Sequence, residues 1–269
     1  MMRWLCLFAM LAACHKPAQT DPVDMPALID AQIQLLATYK QLPSPYGWPS
    51  DTDCDGALWA GEARASGAAV AIQASIQPDG RPTRRPNGDC PPMESSSTTS
   101  TDMRLGQILG LYVSGDRATL ERLRAYAKAN NYLVGTPREK ISAVEMKPAE
   151  RFFLGQAIAH LGGACDDWCL FPAIYYPAPQ TDSDAHLQIL QVYMQNLMGI
   201  ASAETIAAES SLCRTYSDDA LAHAVCGDKQ TASELILSPA WRLPSYVRGA
   251  MPAYAYAHRL LILHILTGK

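Results

Sequence analysis

Apolar residues recur every three or four positions along most of this chain, which is the spacing of one face of an α-helix. The first such stripe runs from Leu28 to Tyr39, after Pro26, which suits a first helical turn. Similar stripes predict helices over 57–73, 102–113, 117–130, 148–161, 185–198, 203–212, 217–226, 229–237 and 251–266. Strand-like alternation is confined to 72–76, which could pair with 81–84. The fold is therefore predicted to be mainly α.

Short polar or glycine turns between these segments predict helical hairpins. Ser114-Gly115-Asp116 separates two helices, and Gly162-Gly163 closes another. The hairpins carry no self-similar motif, so we expect an irregular array, of which an incomplete α/α toroid is one form. Residues 26–269 are expected to form a single helical domain. One long loop, 81–101, is rich in proline, serine and threonine, and we expect a disulfide to pin it.

The N-terminus has the layout of a secretory leader. Arg3 precedes an apolar run that ends in Leu11-Ala12-Ala13-Cys14, which resembles the lipobox of bacterial lipoproteins. The resemblance implies cleavage of a signal peptide, 1–13, and lipidation of Cys14, followed by a polar tether, 14–25. His15 follows the cysteine, which in this class implies an outer-membrane location in a Gram-negative source. Plain secretion with a coincidental cysteine is the alternative, but in either case we expect export.

Six cysteines remain once Cys6 and Cys14 are set aside, and an even number in an oxidising compartment favours disulfides. Pairing of sequence neighbours gives Cys54–Cys90, Cys165–Cys169 and Cys213–Cys226, among fifteen connectivities. A zinc site that includes Cys165 and Cys169 is the competing interpretation, although Cys-x-x-x-Cys is not the usual knuckle spacing.

The charge balance bears on partners. The chain has 22 basic and 26 acidic residues without a basic cluster beyond Arg81, Arg84 and Arg85. It lacks the electrostatic footprint of a nucleic-acid binder. The expected partners are the bilayer, through acylated Cys14, and a glycan or a periplasmic protein.

Residues 51–62 fit the calcium-loop pattern D-x-[DN]-x-[DN]-G-x₅-E. Asp51, Asp53 and Asp55 would supply oxygens, Gly56 the turn, and Glu62 the closing bidentate ligand. Calcium is therefore the expected cofactor, although prolines stand where an EF-hand has its entering helix. In the alternative interpretation, Asp53 or Asp55 caps the helix that begins at Ala57.

A second set of polar residues lies on the long loop or at helix starts: Arg84, Arg85, Asp102, Arg104 and His186. Arginines beside a carboxylate suit sugar acids or phosphates, and Asp102 with His186 could supply a general acid and base. The catalytic candidates are therefore Asp102, His186, Arg84 and Arg85. Alternatively, Asp102 caps its helix, His186 occupies a first turn and the arginines are solvated.

Parts of the body also resemble an uncharacterised group of secreted bacterial helical proteins. The resemblance rests on Arg84-Arg85-Pro86, on Ser100-Thr101-Asp102-Met103 with Gly106, and on 186–190. It implies a shared helical body and no activity. His258 and His264 lie among leucines, where core or surface positions explain them. Motifs of serine hydrolases, P-loop proteins and zinc proteases are absent from the sequence.

Two functional hypotheses follow. The first is a membrane-tethered periplasmic or surface module with a binding or structural role, stabilised by calcium. The second is a glycan-processing hydrolase or lyase of the α/α-toroid type. Convergence of Asp102, Arg84 and His186 in one cleft would favour the second.

Overall fold

The computed structural model describes residues 23–39, 48, 56–84, 86, 99–134, 145–170, 182–200, 202–239 and 252–269. These residues form ten α-helices and no sheet, which confirms the predicted mainly α class. The helices are α1 (Met25–Tyr39), α2 (Gly56–Ala65), α3 (Thr101–Val113), α4 (Arg117–Ala129), α5 (Pro148–His160), α6 (Asp182–Met198), α7 (Ala203–Thr215), α8 (Ala220–Val225), α9 (Lys229–Leu237) and α10 (Pro252–Thr267).

Most helices lie within a few residues of their predicted bounds, but the prediction over 57–73 was wrong at its end. Helix α2 stops at Ala65, because Ser66 and Gly67 form a turn in which Gly67 has φ +87. A left-handed glycine is a common helix stop. The strand expected over 72–76 is instead a 3₁₀ turn, Ile72–Ser75, followed by one antiparallel bridge between Ile76 and Pro82.

The helices pack in a closed circuit. Each helix from α2 to α9 packs against the next one in the chain, and α10 packs back onto both α1 and α2. The core between them is built mainly from leucine, isoleucine, alanine and aromatic side chains that are fully buried. This sequential packing agrees with the expected array of helical hairpins.

Side-chain hydrogen bonds fasten the first described helix to the last. The Gln32 amide in α1 donates to the carbonyl of Lys269 at 2.9 Å, and the Thr267 hydroxyl donates to Gln32 Oε1 at 2.8 Å. Gln32 itself is buried, so both contacts satisfy a polar group inside the interface.

Two of the three predicted cysteine pairs lie at disulfide distance. The Cα atoms of Cys165 and Cys169 are 5.8 Å apart, and those of Cys213 and Cys226 are 6.1 Å apart. Both separations fall in the range that disulfides span. No third histidine, cysteine or carboxylate joins Cys165 and Cys169 in a ligand group within the described part of the chain, which speaks against zinc there.

Several predictions concern residues outside the described ranges. They are the leader and Cys14, the aspartates Asp51, Asp53 and Asp55, the Cys54–Cys90 pair, Arg85 and most of the long loop. Of the helices that are described, none is long and apolar enough to cross a membrane.

Candidate functional site

Helix α2 is positioned by an unusually close approach to α3. A Cβ placed on Gly61 would lie 2.0 Å from the carbonyl oxygen of Gly106, and one on Gly106 would lie 2.6 Å from the Cα of Leu58. Only glycine permits backbones to come this near. The next residue after Gly61 is Glu62, so this contact fixes the place from which the Glu62 side chain extends.

The carboxylate of Glu62 is bonded to two histidines from distant helices. Its Oε1 lies 2.9 Å from Nε2 of His186 in α6, and its Oε2 lies 3.2 Å from Nδ1 of His258 in α10. The two bonds span 124 and 196 residues of sequence. His186 and His258 stand in the N-terminal halves of α6 and α10, and Glu62 stands in the C-terminal half of α2, so these parts of the three helices converge here.

Trp59, one helical turn before Glu62, packs against both imidazole rings. Its centroid is 5.6 Å from that of His186 and 6.1 Å from that of His258, with the second contact edge-to-face. The two histidine rings lie 5.8 Å apart. Trp59 is itself buried, so the indole shields the two Glu62–histidine hydrogen bonds from solvent and strengthens them.

Glu62 is ionised although the cluster is buried. Glu62 and His258 are 0% exposed and His186 is 4% exposed. Burial alone would raise the pKa of Glu62, but the charge of His258 and hydrogen bonds from both histidines lower it to about 2. Burial likewise disfavours the charged form of His258, yet the charge and hydrogen bond of Glu62 and the charge of Asp219 raise its pKa.

Two further groups face this charge. Tyr193 lies two turns after His186 on α6, and burial followed by the negative charge of Glu62 raises the pKa of its phenol to about 12. Asp219 caps α8, where its Oδ1 accepts from the backbone N–H groups of Leu221 and Ala222. A protonated phenol and a fixed second carboxylate therefore surround the cluster.

Chemically, the three side chains can share a proton or hold a metal ion. One ligand atom from each of Glu62, His186 and His258 lies within 4.8 Å of the other two. Two imidazoles and a carboxylate are a common ligand set for transition metals.

The structure brings one of the sequence-predicted catalytic residues into this cluster, namely His186. No hydrogen bond or ion pair between Asp102 and His186 is found among the described residues; Asp102 lies half-buried in the first turn of α3. Arg84 contributes its carbonyl, which accepts from the N–H of Ala57 at 3.1 Å and so satisfies the start of α2. Arg85 lies outside the described residues.

Arg104, which the sequence grouped with these residues, serves the core. It forms a fully buried ion pair with Glu150 of α5 at 2.6 Å, and it also donates to the carbonyl of Thr99. Burial raises the pKa of Glu150, while Arg104 and the backbone N–H of Lys147 oppose that shift. The pair joins α3 to α5.

Glu62 was predicted as the closing ligand of a calcium loop. In the structure, each of its two carboxylate oxygens is hydrogen-bonded to a histidine. Calcium ligation by Glu62 stays a prediction, because the other three proposed ligands lie outside the described residues. His258 was assigned to an ordinary core or surface position, and it is the residue that sequence reasoning missed. The available signal was a histidine on an otherwise apolar helix face, which on its own does not name a partner.

Comparison with known proteins gives no information on the role of these residues. No protein-family model matches the chain, and neither a curated protein nor a solved structure shows significant similarity to it. These comparisons therefore assign the chain to no family.

Proposed function

We propose that this protein is an exported, lipid-anchored binding module of the bacterial envelope, with the outer membrane as its location in a Gram-negative source. The observation that carries the proposal is the cysteine geometry. Two of the predicted pairs lie at disulfide distance, as expected of a chain that folds outside the reducing cytosol. This agrees with the leader and with the lipobox-like Leu11–Cys14.

Binding is favoured over glycoside hydrolysis by the state of the carboxylates at the cluster. Hydrolysis of this kind uses two carboxyl groups, one of them an acid with a raised pKa. The pKa of Glu62 is lowered to about 2 and both its oxygens are engaged, and the nearby carboxylate of Asp219 is engaged as the cap of α8. The module presents a glycan-binding or protein-binding surface from its tether.

A glycan-processing enzyme is the second candidate. The convergence of Glu62, His186 and His258 favours it, because strongly perturbed pKa values cluster at active sites. Incubation of the full chain with peptidoglycan and uronic-acid polysaccharides, followed by chromatography of the products, separates the two candidates. Retention of intact glycan supports a binding module, whereas release of fragments that is lost in His186→Gln supports the enzyme.

The anchor is tested by labelling cells with a radioactive fatty acid. Cys14→Ser is expected to abolish label and membrane association, because the thiol carries the lipid. Cys6→Ser is the matched control, since it removes a cysteine of the same leader and should leave both unchanged. Equal labelling of Cys14→Ser and the unaltered chain would overturn the anchor.

Calcium stabilisation through Asp51, Asp53, Asp55 and Glu62 remains part of the proposal. Thermal unfolding of the full chain with calcium and with chelator tests it, since a ligand of the folded state raises the midpoint. An unchanged midpoint at millimolar calcium would rule it out.

A further inference from the structure

We propose that Glu62, His186 and His258 form a binding site for a divalent transition-metal ion, with Zn²⁺ as the best fit. All three residues lie in the described part of the chain, and the site does not depend on whether the chain is lipidated. Neither functional candidate requires this ion.

The donor atoms suit such an ion in type and in place. Imidazole nitrogen and carboxylate oxygen bind zinc at about 2.0–2.2 Å, which puts neighbouring donors of a tetrahedral site about 3.4 Å apart. Glu62 Oε1 lies 2.9 Å from His186 Nε2 and Glu62 Oε2 lies 3.2 Å from His258 Nδ1, and one donor atom from each of the three residues lies within 4.8 Å of the other two. Small side-chain movements would therefore admit the ion in place of the shared protons.

The local charge also fits a dication. With both histidines neutral, the buried negative charges of Glu62 and the nearby Asp219 balance two positive charges. Buried charge is tolerated when it is compensated in this way. Three protein donors leave one tetrahedral position for water or for a ligand atom.

The donor set argues against other cations. Calcium takes six to eight oxygen ligands, and magnesium requires an octahedron of oxygens, whereas two of the donors here are nitrogen.

A second group of potential metal ligands in the described part of the chain consists of Cys213, His223 and Cys226. Its cysteines lie at disulfide distance, and the two ring nitrogens of His223 contact Asp228 and the carbonyl of Ser217.

The test is zinc binding by the full chain, purified without added metal, stripped with chelator and kept oxidised. We expect about one zinc per chain by mass spectrometry and a higher unfolding midpoint with zinc than with chelator. His258→Gln should weaken zinc binding by about 100-fold, since loss even of a group behind a ligand costs 10–100-fold. His264→Gln, the same change on the same helix, should bind as the unaltered chain does.

A measurement on the unaltered chain guards against variants that do not fold. X-ray absorption of the zinc-loaded chain should show nitrogen and oxygen neighbours, with two imidazoles and no sulfur. Sulfur neighbours would assign the ion to cysteines of the chain and overturn the proposal. Undetectable binding at micromolar zinc would also overturn the proposal. So would a folded His258→Gln variant with unchanged zinc affinity, because the ion would then not be bound by the cluster.

Discussion

Single residues in this protein carry large electrostatic costs that only their partners offset. An unpaired carboxylate moved into a protein interior loses several kcal/mol of hydration. Glu62 is fully buried and is stable there because two imidazoles from other helices reach it. The consequence is that each member of the cluster depends on the other two.

We expect Glu62→Gln to lower the free energy of unfolding by about 3–5 kcal/mol when measured in chelator, because it leaves a buried imidazolium without its counter-ion. Urea unfolding followed by circular dichroism measures the change. Glu234→Gln is the matched control, since Glu234 is exposed on α9 and its change should cost less than about 1 kcal/mol. Equal losses in the two variants would contradict the assignment of a buried charge.

The sequence identified two of the three cluster residues but not their association. His186 was predicted through its place at a helix start, and Glu62 through the calcium-loop pattern. Periodicity reports which face of a helix is apolar, and it does not report which distant helix will meet that face. The Glu62–His258 contact across 196 residues therefore could not be derived from local patterns.

At the scale of elements, the closest approach that the described glycines permit between two helix backbones is the one between α2 and α3. Gly61 and Gly106 bring the two backbones together, and Gly110 extends the contact along α3, since a Cβ placed on Gly110 would lie 3.1 Å from the Cα of Gly61. The helices themselves were predictable because caps, stripes and turns are local. Their separation was not, since it depends on pairs of glycines on different elements.

Gly61→Ala is expected to destabilise the protein by at least about 1–3 kcal/mol, the usual cost of overpacking. Helix propensity alone predicts the opposite sign, a gain of about 1 kcal/mol. Thermal and urea unfolding distinguish the two outcomes. Ala118→Ser, an enlargement at an exposed position of α4, should change stability by less than about 0.5 kcal/mol. A stabilised Gly61→Ala variant would show that α2 and α3 are farther apart.

Asp228 caps α9 by accepting from the backbone N–H of Thr231 at 3.2 Å. Burial works against its ionised form, but hydrogen bonds from Thr231 and His223 lower its pKa below 3.8. A depressed acid pKa means that the stabilisation is present at neutral pH and is lost as the pH falls through the folded-state value.

We therefore expect Asp228→Ala to cost about 1 kcal/mol at pH 7, as cap removal usually does, and progressively less below pH 4. Urea titrations across this range provide the measurement. Asp218→Ala, which changes an exposed aspartate in the turn before α8, should have no comparable effect. A loss that is independent of pH would mean that the cap does not act through the carboxylate.

At the scale of the whole molecule, the circuit of helices is closed by packing and reinforced by cysteine pairs. Loss of the Cys213–Cys226 pair should release the segment that it closes, which runs from the end of α7 to the end of α8. The mainly α class and the hairpin order were predictable from the sequence. The return of α10 onto α1 and α2 was not, because it depends on long-range burial that no turn signal encodes.

The double variant Cys213→Ser, Cys226→Ser is expected to unfold about 3 kcal/mol more easily, the chain-entropy value for a loop of about 15 residues. Urea unfolding of the oxidised chain and of the variant gives the difference. The same comparison under reducing conditions is the control, and there the difference should nearly vanish. A difference that persists after reduction would assign the effect to packing of the thiols.

The bond between Glu62 and His258 joins an early helix to the last one. During synthesis, which proceeds from the N-terminus, Glu62 emerges from the ribosome long before its partner. Until α10 follows, the carboxylate has no His258 to bind and must stay hydrated. Any product cut short before α10 lacks the Glu62–His258 contact and leaves a charge to be buried without that partner.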